Sequence, residues 1–274
     1  MNTNRGSYLM GAALGSALVL TLCVKAQAAD IYEAPPQPAY EVPPPPPLDR
    51  GIYIKGYIGQ ANPDVGSIWT QAFNTNNFTV FSQDIKSSPL FGLGIGYQRN
   101  HWLRFDLTGE YRGDAIFVAQ DRYAAGPGFI AGTNEYTADV SSWLGLANAY
   151  IDMGNWCGFT PYVGAGIGFS VLSVNGLRDI NTRTGGVFYA QDNTSTNFAW
   201  ALYAGTSYDV TPQITLDISY RYAQLGDANT GVAFDAVGQN PSYSGVFIKD
   251  VTSNDLMLGF RYKLQQAAPL YAVK

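Results

Sequence analysis

The sequence predicts an all-β protein, an eight-stranded antiparallel transmembrane up-and-down β-barrel with long outer loops and short periplasmic turns. Three observations predict it. The stretch Trp102 to Arg112 sets Leu103, Phe105, Leu107 and Tyr111 on one face and Arg104, Asp106, Thr108, Glu110 and Arg112 on the other, because successive strand side chains point to opposite sides. It spans about ten residues, the length a tilted strand needs to cross a bilayer. An export signal opens the chain, and connections of long and short length alternate along it.

The export signal comes first in order. Arg5 precedes the apolar run Leu9 to Leu22, and Ala26-Gln27-Ala28 supplies small residues for cleavage at Ala28 or Ala29, the layout of a secretory signal peptide over residues 1–28. A lipoprotein reading of Cys23 fails, since lipidation wants a small residue before the cysteine and Leu22 stands there. Cleavage removes Arg5 and Lys25 and takes the formal net charge from -5 to about -7, which argues against nucleic-acid binding. It leaves Cys157 without a second cysteine for an internal disulfide, and with no ligands at zinc-site spacing. Residues 29–50 hold Pro35, Pro36, Pro38 and the run Pro43 to Pro47. That composition predicts an extended polyproline II spacer on the periplasmic side.

Residues 51–264 carry the strands. The first, Gly51 to Gln60, places Ile52, Ile54 and Ile58 opposite Lys55, and the second, Pro89 to Arg99, alternates Phe91, Leu93, Ile95 and Tyr97 with Gly92, Gly94 and Gly96. Trp102 to Arg112 is the third. The fourth, Asn134 to Asp152, has two adjacent apolar sets, Trp143 with Ala147 and Leu144 with Leu146, which leave its lipid face open. In the fifth, Thr160 to Val174, Val163, Ala165, Ile167, Phe169 and Val171 oppose Gly164, Gly166 and Gly168. Trp200, Leu202, Ala204 and Tyr208 face together in the sixth, Asn197 to Asp209. The seventh sets Ile214, Leu216, Ile218, Tyr220 and Tyr222 against Thr215, Asp217, Ser219 and Arg221. The eighth, Asp250 to Leu264, sets Leu256, Leu258, Phe260, Tyr262 and Leu264 against Asp255, Arg261 and Lys263.

Long polar stretches at Ala61 to Ser88, Gly113 to Thr133, Asn175 to Thr196 and Gly226 to Lys249 alternate with short turns at Asn100, Gly154 to Phe159 and Val210 to Gln213, the asymmetry of outer-membrane barrels. Residues 265–274 form a periplasmic C-terminal tail. No later segment approaches the roughly 18 apolar residues of a membrane helix.

The inward set is Lys55, Arg104, Asp106, Glu110, Arg112, Asp217, Arg221, Asp255, Arg261 and Lys263. Isolated buried charges cost several kcal/mol each, so they must pair with each other or with trapped water; their mixed signs predict a mutually paired lumen network, with Asp106 or Glu110 as partner of Arg104. A barrel of about eight strands is only wide enough for its own side chains. A narrow small-solute pore is the alternative, and a soluble periplasmic lipocalin-like carrier with an apolar lumen is a third. The alternate glycines lack the strand-turn-helix context of a nucleotide fingerprint and predict room for large side chains from facing strands, such as Arg104 or Tyr203. Tyr97, Trp102, Trp156, Tyr162, Tyr208 and Tyr262 near the short turns, with Trp143 and Trp200 higher up, predict two aromatic girdles. The lone His101 has no serine and acid arranged around it, so no enzyme, cofactor or metal is expected.

Gly51-Ile52-Tyr53-Ile54-Lys55-Gly56-Tyr57-Ile58-Gly59, Trp102 to Arg112, Gly158-Phe159-Thr160-Pro161-Tyr162-Val163-Gly164-Ala165-Gly166, Asp217 to Tyr222 and Leu258-Gly259-Phe260-Arg261-Tyr262 together resemble the opacity-type outer-membrane β-barrel family of small surface antigens. That family is related in architecture to the OmpA transmembrane domain and often labelled "porin family". The resemblance implies a monomer in the outer membrane of a Gram-negative bacterium, surrounded by lipid and lipopolysaccharide. It also implies insertion by the barrel-assembly machinery, and loops that serve as antigen or adhesive surface for a host or envelope ligand. Met257, Gly259, Tyr262 and Leu264 are similar to the family's terminal assembly signal. The chain departs from the pattern in that Gln265 to Lys274 follow the last strand.

Overall fold

The structure is a computed structural model that describes residues 50–70, 78–125, 130–235, 237 and 245–264. Ala28 and Ala29, the proline-rich residues up to 49 and residues 265–274 lie outside the described residues, and with them the expected leader, spacer and tail. The strands are Gly51–Ala61 (β1), Pro63–Trp69 (β2), Thr79–Ile85 (β3), Ser88–Gln98 (β4), Leu103–Tyr123 (β5), Gly132–Asp152 (β6), Phe159–Asn181 (β7), Val187–Ala190 (β8), Asn193–Asp209 (β9), Ile214–Asn229 (β10), Ala233–Asp235 (β11) and Phe247–Lys263 (β12).

The strands β1, β4, β5, β6, β7, β9, β10 and β12 pair antiparallel in that order, and β12 pairs back onto β1 from Tyr53↔Lys263 to Gln60↔Leu256. These eight strands therefore close into a barrel. Among the described residues no helix is long and apolar enough to cross a membrane; the crossing elements are strands whose backbone groups are satisfied by their neighbours.

The wall separates two solvents. Ile58, Leu93, Leu107, Ile167, Leu202 and Leu258 are among the large apolar residues left exposed on the outside, while Arg104, Asp106, Glu110, Arg112, Arg221 and Asp255 are buried within. A soluble lipocalin-like carrier, apolar inside and polar outside, is the inverse of this arrangement. On β6 the ambiguity between the apolar sets resolves, because Trp143 faces out while Leu144 and Leu146 are buried inside.

The strands run further than the sequence pattern suggests. Along β5 the even residues through Arg112 point inward, yet Ala115, Phe117 and Ala119 are the buried ones beyond it and Ile116 faces out. A register shift between Arg112 and Ala115 causes the switch, because one inserted residue moves every later side chain to the other face. Similar shifts let Leu177 follow Val174 inward on β7, Ala228 follow Leu225 on β10, and Ile248 precede Val251 on β12. Much of each stretch read as a loop is thus strand, since the alternation that marks a strand breaks phase at the bulge and resumes inverted. The strand β2 continues β1 along β12 past Asn62, and β3 runs beside β5 into β4 past Lys86 and Ser87. On the outer end of β7, β8 and then β11 add a short flap.

The short turns are pinned by side-chain oxygens. Asn100 Oδ1 accepts from the N–H groups of Trp102 (3.1 Å) and Leu103 (2.8 Å), Asn155 Oδ1 from that of Gly158 (3.0 Å), and Thr211 Oγ1 from those of Gln213 (3.2 Å) and Ile214 (2.9 Å). Such local bonds favour turns over continued pairing.

The alternate glycines host neighbours, not facing strands as the sequence suggests. Gly92 and Gly96 lie in register with Tyr57 and Tyr53 of β1, and Gly164 and Gly166 with Tyr150 and Asn148 of β6. A Cβ on any of them would strike that partner's side chain. Tyr203 is likewise a register partner of Gly164 from β9, and Arg104 plays no part in this contact. Large inward side chains in a narrow barrel bend over the adjacent strand, and only glycine leaves room there.

Phe105 is 44% exposed on the outer wall. Phe105→Arg is expected to weaken folding into lipid by about 2 to 4 kcal/mol if the site lies near the bilayer midplane, read from urea titrations of folding into vesicles; unchanged stability would contradict the lipid-facing assignment.

Candidate functional site

Charge on the inner wall is matched nearly one for one. At the centre, Arg112 Nε donates to Glu110 Oε1 at 2.8 Å and Arg112 Nη2 to Asp255 Oδ2 at 2.7 Å, while Arg221 Nη2 reaches both Glu110 Oε1 and Asp255 Oδ2 at 2.7 Å. Two arginines and two acids from β5, β10 and β12 thereby close a four-membered ring. Nearer the short turns, Lys55 pairs with Asp106 at 2.9 Å and Arg261 with Asp217 at 2.8 Å. Lys263 approaches Asp209 only to 3.9 Å at the half-exposed end. Apart from this last pair, each bond is charge-assisted and largely withdrawn from water, where such bonds are strongest and an unpaired charge is most costly.

Arg104 differs from expectation. Its partner is neither Asp106 nor Glu110 but Asp152, at 3.0 Å from Nε. Asp106 is already occupied by Lys55, by Tyr53 Oη (3.1 Å) and by Asn148 Nδ2 (2.7 Å), which donates as well to Thr108 Oγ1 (3.1 Å). The Arg104 guanidinium lies between two rings, 4.2 Å from the centroid of Tyr150 and 4.3 Å from that of Tyr162, a desolvated cation–π arrangement. Sequence reasoning passed over Asp152 because it ends β6, beside a turn. The inward tyrosines Tyr53 and Tyr150 were passed over because tyrosine suits a girdle equally well, whereas Tyr203 is buried inside as expected.

Tyr162 is one such case. It is 5% exposed and faces the lumen, as the alternation with outward Val163 requires. Tyr97, Trp102, Trp156, Tyr208 and Tyr262 are exposed at the short-turn end, Trp143 is exposed higher up, and Trp200 is half-buried against Tyr222, ring centroids 5.6 Å apart. Of the residues similar to an assembly signal, Met257 is buried in the lumen, Gly259 is half-buried, and Tyr262 and Leu264 face outward. Cys157 sits at positive φ in the turn after Gly154.

Beyond the four-membered ring the interior changes character. Leu90, Phe117, Val140, Leu172, Leu225, Ile248 and Val251 are all buried there, an apolar layer to which the strand extensions contribute Phe117, Leu225 and Ile248. A polar cluster caps it at the long-loop rim. Asp121 Oδ1 accepts from Asn134 Nδ2 (3.1 Å) and Asp121 Oδ2 from Tyr136 Oη (2.5 Å), while Asn181 Nδ2 donates to Tyr123 Oη (2.6 Å). Asp179, opposite Tyr136 in register, lies beyond the β7 bulge. Burial, reinforced by the charge of Asp121, pushes its carboxyl up to about 7. Among the described residues no group of three or more His, Cys, Asp or Glu could hold a metal ion.

Residues 14–263 match the family model described as "Outer membrane protein beta-barrel domain". The chain is 30% identical to an uncharacterized protein of Brucella suis over 231 residues, 77% of this chain and 80% of the relative. It is 27% identical to the outer membrane protein PagN of Salmonella typhimurium, over 78% of this chain and 90% of PagN. A candidate adhesin of Rickettsia conorii is 26% identical over 70% of this chain and 74% of the relative.

Arg104→Ala leaves Asp152 buried without its cation, so unfolding in detergent is expected to become easier by about 3 to 5 kcal/mol. Lys86→Ala, at the exposed pair with Asp84, is expected to change it by less than about 1 kcal/mol. Equal effects of the two variants would count against the paired interior. The rim makes a pH prediction. An acid with a raised folded pKa keeps its proton in the folded state while the unfolded chain ionises, so stability falls as pH rises from about 4 to about 7 and the loss is complete above that. Asp179→Asn is expected to remove most of that decline, measured as the unfolding midpoint between pH 5 and 8.

Proposed function

Since the chain belongs to the outer membrane protein β-barrel domain family and resides in the outer membrane of a Gram-negative bacterium, we propose that it is a non-conducting envelope barrel whose long-loop end is its working surface. The observation that carries this is the filling of the lumen. Inward cations are matched by inward acids, and an apolar layer lies across the same interior. An ion or sugar crossing it would have to break several buried ion pairs and then pass a layer that is mostly apolar. A barrel of about eight strands has no spare width to offer it.

The working surface is then the strand extensions with the rim cluster and the β8–β11 flap, facing the cell exterior in the orientation that puts short turns in the periplasm. Adhesive or antigenic contact with a host or envelope ligand is the reading supported by similarity to the candidate adhesin of Rickettsia conorii. No catalytic role is assigned: His101 is exposed in a short turn with no acid or hydroxyl nucleophile bonded to it among the described contacts. The barrel acts as a monomer in lipid and lipopolysaccharide after insertion by the assembly machinery, with residues 1–28 as cleaved leader, 29–50 as periplasmic spacer and 265–274 as periplasmic tail.

In planar bilayers the purified barrel is expected to give no steady conductance. Reproducible channels that vanish on substitution of Arg112 or Arg221 would replace this reading with that of a narrow pore. The surface role is tested by replacing Val187–Ala190 and Ala233–Asp235 with short glycine-serine links, expected to leave the barrel assembled but to abolish binding of cells to host tissue; undiminished binding would move the contact elsewhere.

A further inference from the structure

A small cavity of about 30 Å³ lies in the charged half of the lumen, bordered by Lys55, Arg104, Tyr162, Tyr203, Asp217 and Ser219 among others. Two of its walls carry unmet bonding capacity. Arg104 spends Nε on Asp152 and is clamped between Tyr150 and Tyr162, which fixes where its guanidinium edge points; its buried Nη2 donates to nothing. Asp217 accepts from Arg261 through Oδ2, and its buried Oδ1 accepts from nothing. Arg104 is only 1% exposed, so bulk solvent does not complete it.

We infer that this cavity binds two water molecules that bridge Arg104 Nη2 to Asp217 Oδ1 and complete the buried charge network. The bonding demands select the ligand. Nη2 needs an acceptor and Oδ1 needs a donor; a halide would satisfy only the first and a cation only the second. Water does both. A cation would also meet Lys55 and Arg104 on the wall, and an anion would meet Asp217. Size agrees, since a water needs about 10 to 15 Å³ of such space and a polar cavity with two to four partners is where buried water resides. An organic solute does not fit. Lys55 keeps a further N–H beyond those given to Asp106 and Tyr150, which suits a third contact.

This inference rests on the sealed-lumen reading, and the experiment separates the two. With the full barrel refolded in micelles, cross-relaxation from water to the Arg104 side-chain protons is measured by NMR. Negative cross-peaks, the mark of water held for longer than nanoseconds, are expected. Their absence, while the Arg104 Hε signal is itself observed, overturns the inference even if bilayers show no conductance. Conductance in bilayers overturns the sealed reading instead. A second readout compares Ser219→Ala with Ser219→Val, since both lose the hydroxyl and only valine fills the cavity. Bound water predicts the lower unfolding midpoint for valine, because displacing it strands Arg104 and Asp217. A higher midpoint for valine, as filling a dry cavity would produce, overturns the proposal.

Discussion

The hydrocarbon core of the membrane accepts no unpaired backbone N–H or C=O, and everything else in this fold follows from meeting that demand with strands. A sheet satisfies it only by closing on itself, which β12 does by pairing with β1 from Tyr53↔Lys263 to Gln60↔Leu256. Closure at eight strands fixes a narrow interior. Every inward side chain must then find partners among the other inward side chains. The ring of Glu110, Arg112, Asp255 and Arg221 is one consequence. The tyrosines folded over Gly92, Gly96 and Gly164 are another.

The interior is built as two solvents in series. Toward the short turns it is ionic and phenolic, with Arg104 between two tyrosine rings and Asp106 at the centre of four donors from Tyr53, Lys55, Asn148 and Tyr150. Toward the long loops it is aliphatic, with Phe117, Leu172, Leu225 and Ile248 among the buried residues. The bulges mark the change. By inverting which residues face inward, they let the chain place Ala115 and Phe117 inside after Arg112, and Ile248 inside beyond Val251. A strand without a bulge would have carried Asp114 into that layer, directly beyond Arg112.

The lipid-facing set was legible because period-two alternation leaves its trace in any sequence, and Phe105, Leu107, Ile167 and Leu258 face outward where that trace places them. Strand length was not legible, because alternation that inverts at Gly113 or Gly176 reads as the end of a strand. The charged inward residues were legible as a set. Their pairing was not: Arg104 could be matched to several acids by sequence, and only the register of β5 against β6 brings Asp152 within 3.0 Å. Tyr162 shows a conflict between two local cues, since its place near a turn suggests the girdle and its alternation with Val163 puts it inside. Alternation prevails there because a strand cannot turn one side chain to the other face without a bulge.

Sequence alone determined the solvent on each side of the wall, the number of crossings and the end at which the turns are short, because each of these depends on neighbours along the chain. Tertiary structure alone decided the ion-pair partners, the glycine contacts and the apolar layer. Those depend on register between strands far apart in sequence, as between Glu110 and Arg221 or Asp255 and Arg112, and register is set only when the ring closes.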